Sequence, residues 1–437
     1  MIEWWILLPM IIGAVLVLLA LGFPVAFAFL IINLAGIELL QGGGRAYHQL
    51  ILSIYASVTS FSLLPIPLFV LMGEMLWHSN IAGRALGAMD KLLGRVPGRL
   101  SFLTVGSGTV FAALSGSTVA NTAMLGSMLL PSMKARGYAH DLSMGPIMGS
   151  GALAMLIPPS ALAVVYAAVA KVSIGKLLVA LIIPGLLIAA LYVAYIVIRA
   201  RLNPESAPAY DVDQASTREK IVGLVKYVLP LSIIVFLVVG VIFLGVATPT
   251  EAAALGCLGS FGLAAAYRDL DVKRVILALK GTLSISVMML TIMAVAIGFS
   301  QLLAYSGASR GLLEFVTAMD ASPIVMILLM QLIVLILGCF MEQIAIMLIT
   351  LPIFVPIIKA LGIDPIVFAV ITLINLEIAL MTPPFGLLLF VLKGVARDVP
   401  MKAIYLAATP YILIDVLVMI LILTWPEIVL ALTRLVR

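Results

Sequence analysis

Runs such as WWILLPMIIGAVLVLLALGF near the amino terminus and LSIIVFLVVGVIFLGV past the middle are long enough to cross a lipid bilayer as helices, and runs of this kind recur along the chain. Nothing constrains the fold more. Inside hydrocarbon every backbone N–H and C=O needs a partner within the protein, which leaves helices and closed barrels. Barrel strands would be short and alternating, so an all-α polytopic membrane protein is expected. Of the 437 residues, 64% are hydrophobic and 10% charged. The start, MIEWW, carries Glu3 and no basic residue, unlike a cleavable signal peptide, and Trp4 and Trp5 suit an interfacial belt. The first helix is therefore expected to be retained.

Several function classes fall away. The net charge of +5 resides in short loops between apolar runs, where membrane topology accounts for it and a nucleic-acid partner is not needed. No Lys is followed by Ser or Thr, so there is no Walker A loop and no ATPase subunit is implied. HExxH and GxSxG are missing, and the one Tyr-Asp pair, Tyr210-Asp211, lies in a polar linker, so an intramembrane enzyme lacks its usual anchors. Cys257 and Cys339 have no metal-type spacing and read as packing residues, and His48, His78 and His140 are scattered.

The polar segment RLNPESAPAYDVDQASTREK divides the chain. Sliding one half along the other by 225 positions superimposes Pro24 on Pro249, Gly73 on Gly298, Pro131 on Pro356, Lys134 on Lys359, Gly137 on Gly362, and Pro158-Pro159 on Pro383-Pro384. A double proline in register with five other matches points to two repeats, residues 1–200 and 223–437, around a linker at 201–222. Each half parses as five crossings, one of them broken at Pro-Pro, plus a pair of apolar arms too short to cross, near 100–137 and 322–361. Such arms read as a re-entrant helical hairpin, and an odd number of crossings inverts the second repeat. The parse divides the 25 Lys and Arg as 18 on one side and 7 on the other. The basic side is expected to be cytoplasmic, with the linker there and both termini outside.

The hairpin tips are polar. The first, SGSTVAN, offers oxygens at Ser115, Ser117, Thr118 and Asn121 around a flexible Gly116; the second is GCFMEQ, with Gly338, Cys339, Met341 and Glu342. Helix ends left open at mid-membrane present carbonyls to a small hard cation such as Na⁺ and N-termini to an anion. Isolated small polar residues more often serve helix packing, but their clustering in short, duplicated arms favours a binding role. The Pro-Pro pairs lie in SGALAMLIPPS and NLEIALMTPPFG, where two lost donors suggest discontinuous helices rather than simple kinks. Ser150, Gly151, Asn375 and Thr382 are then further ligands or hydrogen-bonding partners. The parse buries or half-buries Glu74, Glu251, Glu342, Glu377 and Asp415, of which Glu342, beside the second tip, is the strongest functional candidate.

LSGSTVANTAMLGSMLLPSMKARGY, IPPS, GCFMEQIAIMLITLPIFVPIIKALGID and NLEIALMTPPFGLLLFVLKG resemble the signature segments of the large membrane subunit of tripartite ATP-independent periplasmic (TRAP) transporters, the DctM family. The resemblance implies a Na⁺-coupled secondary importer of organic acids in the bacterial inner membrane, working by an elevator motion. It also implies a periplasmic solute-binding protein and a small four-helix membrane subunit as partners. By position, Ser115, Gly116, Ser117, Thr118 and Asn121, with Gly338, Glu342, Thr382, Pro383 and Pro384, would supply Na⁺ sites and flank the solute; many relatives carry Asp at the position of Glu342. The other readings are a binding-protein-independent Na⁺/anion symporter with similar hairpins and a non-transporting membrane scaffold. A reporter fused after Arg437 is expected to be active only outside the cytoplasm; a cytoplasmic signal would overturn the parse.

Overall fold

In the computed structural model, which describes residues 3–210, 216–319 and 321–435, the described residues form helices and no strand. α1 (Trp4–Ala20) and α2 (Val25–Gln41) meet at Pro24, which starts α2 where its missing N–H costs nothing. α3 (Arg45–Val58) is amphipathic, and a 3₁₀ turn at Phe61–Leu63 separates it from α4 (Pro65–His78). A second amphipathic helix, α5 (Ile81–Leu92), leads to the paired α6 (Arg99–Ser115) and α7 (Thr118–Ala135). α8 (His140–Ala152) and α9 (Ala161–Ala170) flank the first Pro-Pro, and α10 (Ile174–Ala180) and α11 (Ile182–Leu202) follow.

Beyond the linker come α12 (Thr217–Gly223), a π-helical stretch at Leu224–Val228, α13 (Leu229–Phe243) and α14 (Pro249–Ala266). α15 (Val272–Tyr305) is one unbroken helix of 34 residues, whereas Pro65 and Pro67 divide the α3–α4 region. α16 (Ala308–Ala318) precedes a second pair, α17 (Pro323–Gly338) and α18 (Gln343–Ala360). α19 (Pro365–Met381) and α20 (Leu387–Val395) flank the second Pro-Pro, and α21 (Met401–Thr424) and α22 (Glu427–Thr433) close the chain. Among the described residues, six stretches are long and apolar enough to cross a membrane: Phe61–His78, Ile174–Leu202, Thr217–Phe243, Val272–Tyr305, Gln343–Ala360 and Met401–Thr424. Shorter apolar helices include α1, α9, α17 and α19.

The two halves of the chain interlock. α2 packs on α15, α4 on α14 and α15, α7 on α20, α8 on α21, and α9 on α18. Asn33, buried in apolar α2, fastens the first of these contacts: its Nδ2 donates to the carbonyl of Val295 at 2.7 Å. Gly298 leaves the room, since a Cβ there would lie 2.4 Å from Leu50 and 2.7 Å from Asn33. Opposite charges tie helix ends together. Arg84 and Arg274 both pair with Asp269, at 2.9 and 2.7 Å. Asp141 accepts from Arg199 Nε at 2.9 Å and from the Tyr195 hydroxyl at 3.0 Å. Arg99, buried at the start of α6, donates to the carbonyl of Asp90 at 2.6 Å and to its carboxylate at 2.9 Å.

One carboxylate expected to be buried or half-buried is exposed. Glu251 is exposed at the start of α14, where it accepts from the backbone N–H of Thr248 at 2.8 Å while Thr248 Oγ1 caps Glu251 N at 3.3 Å. Thr248-Pro-Thr-Glu251 is a capping box, and a charged box is most stable where water reaches it.

Glycine controls the α8–α21 seam. A Cβ at Gly145 would sit 2.2 Å from the Tyr411 ring and 2.6 Å from the Ala407 carbonyl, and at Gly149 2.9 Å from both Tyr192 and Tyr411. Gly145→Ala is expected to destabilise the protein by about 1–3 kcal/mol, read as a lower melting temperature of detergent-solubilised protein; an unchanged melt would contradict this packing.

Candidate functional site

Two residues, Gly116 and Ser117, make the first tip. α6 ends at Ser115; Gly116 adopts φ +57°, a conformation that favours glycine, and its N–H returns to the Ala112 carbonyl at 3.1 Å. Ser117 then caps α7, its Oγ accepting from Ala120 N at 3.3 Å. The carbonyl end of one helix and the amide end of the next therefore meet at two residues. The tip rests on α4, where Gly73 permits the approach: a Cβ there would lie 2.7 Å from the Leu114 carbonyl oxygen and 3.0 Å from that of Ser115.

Behind the tip, α6, α7 and α8 share a dense polar knot. Asn121 is fully buried and its Nδ2 donates to the carbonyls of Gly108 at 3.2 Å and Ser150 at 3.1 Å. Gly108 and Gly151 make this contact possible, since a Cβ at Gly108 would lie 2.3 Å from Ser150 Cβ and one at Gly151 would lie 1.8 Å from Thr122 Oγ1. Asn121 Oδ1, Thr122 Oγ1 and Ser150 Oγ are buried without a hydrogen-bond partner. Oxygens left in that condition are costly, and they match the donor set that a small hard cation takes.

The second tip is built differently. α17 ends at Gly338, which packs so closely on α19 that a Cβ would lie 2.2 Å from Ala379 Cβ. Glu342 occupies the cap position of α18, half-buried beside Met341. Cys339 Sγ lies 3.4 Å from the Pro383 carbonyl, within reach of a weak S–H bond that links the tip to the second Pro-Pro. Thr382 donates to the Ile378 carbonyl at 2.7 Å. Asn375 is a tether, its Nδ2 donating to the carbonyl of Gln331 at 2.6 Å and to that residue's side chain at 3.0 Å. Glu377 is fully buried on α19, one turn before the break.

Both Pro-Pro breaks interrupt helices, but their surroundings differ. Pro158 and Pro159 are buried, with Ser160 capping α9 through Ala163 N at 3.3 Å. Pro383, Pro384 and Phe385 are exposed.

One cavity of about 420 Å³ brings the tips together. Ser115, Gly116, Ser117 and Thr118 line it from the first hairpin and Glu342 and Gln343 from the second, with Glu74 and Trp77 of α4 and Met288 and Met289 of α15 opposite. Asn121, Ser150 and Gly151 lie in the knot behind its wall, and Asn375, Thr382, Pro383 and Pro384 are outside the lining. The lining holds two glutamates and no Lys or Arg. A larger cavity, about 890 Å³ between α6 and α13, is almost wholly apolar, with Thr109 and Ser232 but no charged side chain in its lining. Gly73 is marked in the sequence only by its repeat match to Gly298, Gly108 by nothing, and Gln331 by being a lone amide in the run VMILLMQLIVLILG.

Helical pairs closing on a shared cavity, in a multi-pass membrane chain, define a transporter-like architecture. The fold resembles that of the Alcanivorax borkumensis YdaH transporter, with a TM-score of 0.65 at 15% identity over 92% of this chain and 99% of that one. The family model for the "Tripartite ATP-independent periplasmic transporter, DctM component" matches residues 12–428, and the chain belongs to that family of large permease subunits. It is 34% identical to the C4-dicarboxylate TRAP transporter large permease protein DctM of Pseudomonas aeruginosa over 88% of this chain and 89% of that one. The sialic acid TRAP transporter large permease protein SiaM of Vibrio cholerae is 32% identical over 96% of each chain. The ectoine TRAP transporter large permease protein TeaC of Halomonas elongata is 29% identical over 94% of this chain and 96% of its own.

Proposed function

We propose that this permease imports a small organic acid together with Na⁺, the solute being delivered by a periplasmic solute-binding protein and the permease acting with a small four-helix membrane subunit in the bacterial inner membrane. The observation that carries this reading is the cavity lining. An anion entering a space bordered by Glu74 and Glu342, with no Lys or Arg among the lining residues, needs cations to accompany it. Buried oxygens without partners at Asn121, Thr122 and Ser150 offer one place for such a cation, immediately behind the first tip. The tip carbonyls and Glu342 offer a second, and the opening turns of α7 and α18 present backbone N–H groups toward the solute.

Two inverted repeats moving as an elevator are part of the same proposal. The 225-residue offset that aligns the prolines also carries α7 (118–135) onto α18 (343–360). Both hairpins and both broken helices pack chiefly on one another and on α21, as a unit moving past α4, α14 and α15 would require. Names among the relatives include a C4-dicarboxylate, sialic acid and ectoine, so the proposal is tested with those solutes as probes. In proteoliposomes holding this chain and its small subunit, uptake of one of them is expected to require both an inward Na⁺ gradient and the cognate binding protein. Asn121→Ala is expected to reduce that uptake about tenfold or more, the equivalent of one lost hydrogen bond to a charged group. Uptake by the permease alone would favour a self-sufficient symporter, and equal uptake in K⁺ would remove Na⁺ coupling.

A further inference from the structure

Where the second half of the chain begins, α12 and the π-helical stretch pack on the amphipathic α5, and a cavity of about 720 Å³ opens between them. Both walls suit a membrane border. The apolar span Thr217–Phe243 starts here, which puts Arg218 and Val222 in its first two turns. α5 buries Ile81, Ala85 and Leu86 against the protein and lines the cavity with Arg84, Gly87 and Lys91, one stripe of the helix.

The lining holds three cations and one carboxylate. That carboxylate, Glu219, accepts from Ser216 N at 3.1 Å and so serves its own helix start, while Arg84 pairs with Asp269 at 2.9 Å. Lys91 and Arg218 enter none of the ion pairs between described residues. Membrane topology accounts for the sign of these residues but not for the concave space between them. Two glycines shape that space. A Cβ at Gly223 would meet Ala88 Cβ at 3.3 Å, so the glycine lets α12 approach α5, whereas a Cβ at Gly87 would meet nothing within 4 Å. Further along the span the helix turns Val222, Val225 and Leu229 outward, all exposed.

Two unpaired cations beside an outward-facing apolar helix surface fit a ligand that is anionic at one end and apolar at the other. We propose that the α5–α12 cavity seats an anionic phospholipid, its phosphate held by Lys91 and Arg218 and its acyl chains lying along Val222, Val225 and Leu229. The seat joins the two halves of the chain, since α5 also packs on α6 of the first hairpin and α12 opens the second half. An occupied seat therefore stabilises the contact between them, whatever solute or ion the permease carries.

The test is the melting temperature of the purified full-length permease in phosphatidylcholine nanodiscs of increasing phosphatidylglycerol content. A saturable rise is expected, which inorganic phosphate does not reproduce. Lys91→Gln combined with Arg218→Gln is expected to raise the phosphatidylglycerol content needed for half of that rise about tenfold or more. Gly87→Leu keeps every charge and fills the space. It is expected to melt no lower than the native protein in pure phosphatidylcholine and to lose the rise. An equal rise in the native protein and G87L would make the effect a response to bilayer charge alone, and a rise with inorganic phosphate would make the cavity a free-anion site. Either result, an unchanged midpoint in K91Q/R218Q, or no rise at all overturns the proposal. If K91Q/R218Q does not fold, the comparison with G87L decides.

Discussion

Everything in this structure follows from the cost of ending a helix inside a membrane. Each interruption exposes backbone groups that lipid cannot satisfy, so each must be covered by protein or turned toward a polar cavity. At the first tip the cover is close: Gly73 admits the carbonyls of Leu114 and Ser115, and Asn121 binds two more at Gly108 and Ser150. At the second, Cys339 faces the Pro383 carbonyl and Gly338 lies against Ala379. The glycines at these contacts set the distance between helices, and the polar side chains use it.

That constraint is also the physical basis of the proposed ion and solute binding. Covering a helix break consumes some of its polar groups and leaves others pointing at one small space. Here the space is bordered by both tips, α4 and α15, and carries two glutamates without a basic residue. Such a lining makes cation and anion binding interdependent, because each ion neutralises what the other would leave buried. The glutamate of α19, Glu377, is fully buried and lies outside that lining.

Much of the architecture was legible in the sequence because hydrocarbon enforces a simple grammar. Spanning runs, the polar interruptions SGSTVAN and GCFMEQ, and two Pro-Pro breaks all mark where helices continue or stop, and the helix ends at Ser115, Gly338, Ala152 and Met381 respect them; the arm Gln343–Ala360 is longer than the expected short arm, since its 18 apolar residues suffice for a span. Glu251 is exposed rather than buried because it closes a capping box with Thr248 at the start of α14. Asn33 was unreadable as a fastener, since its partner, the Val295 carbonyl, lies 262 residues away. The same holds for Tyr192 and Asp415, 223 residues apart. Composition signals that a polar residue needs a partner; only the packing of the two halves says which one.

The central claim is that the hairpin tips bind Na⁺, and the most direct measurement is the melting temperature of the purified permease as Na⁺ or K⁺ is titrated at constant ionic strength. A site filled to 100 times its dissociation constant stabilises the folded state by about 2.7 kcal/mol. The account predicts a saturable rise with Na⁺ that K⁺ does not reproduce and that Ser150→Ala and Glu342→Gln each weaken. Identical curves for Na⁺ and K⁺, or a rise untouched by both substitutions, would contradict it.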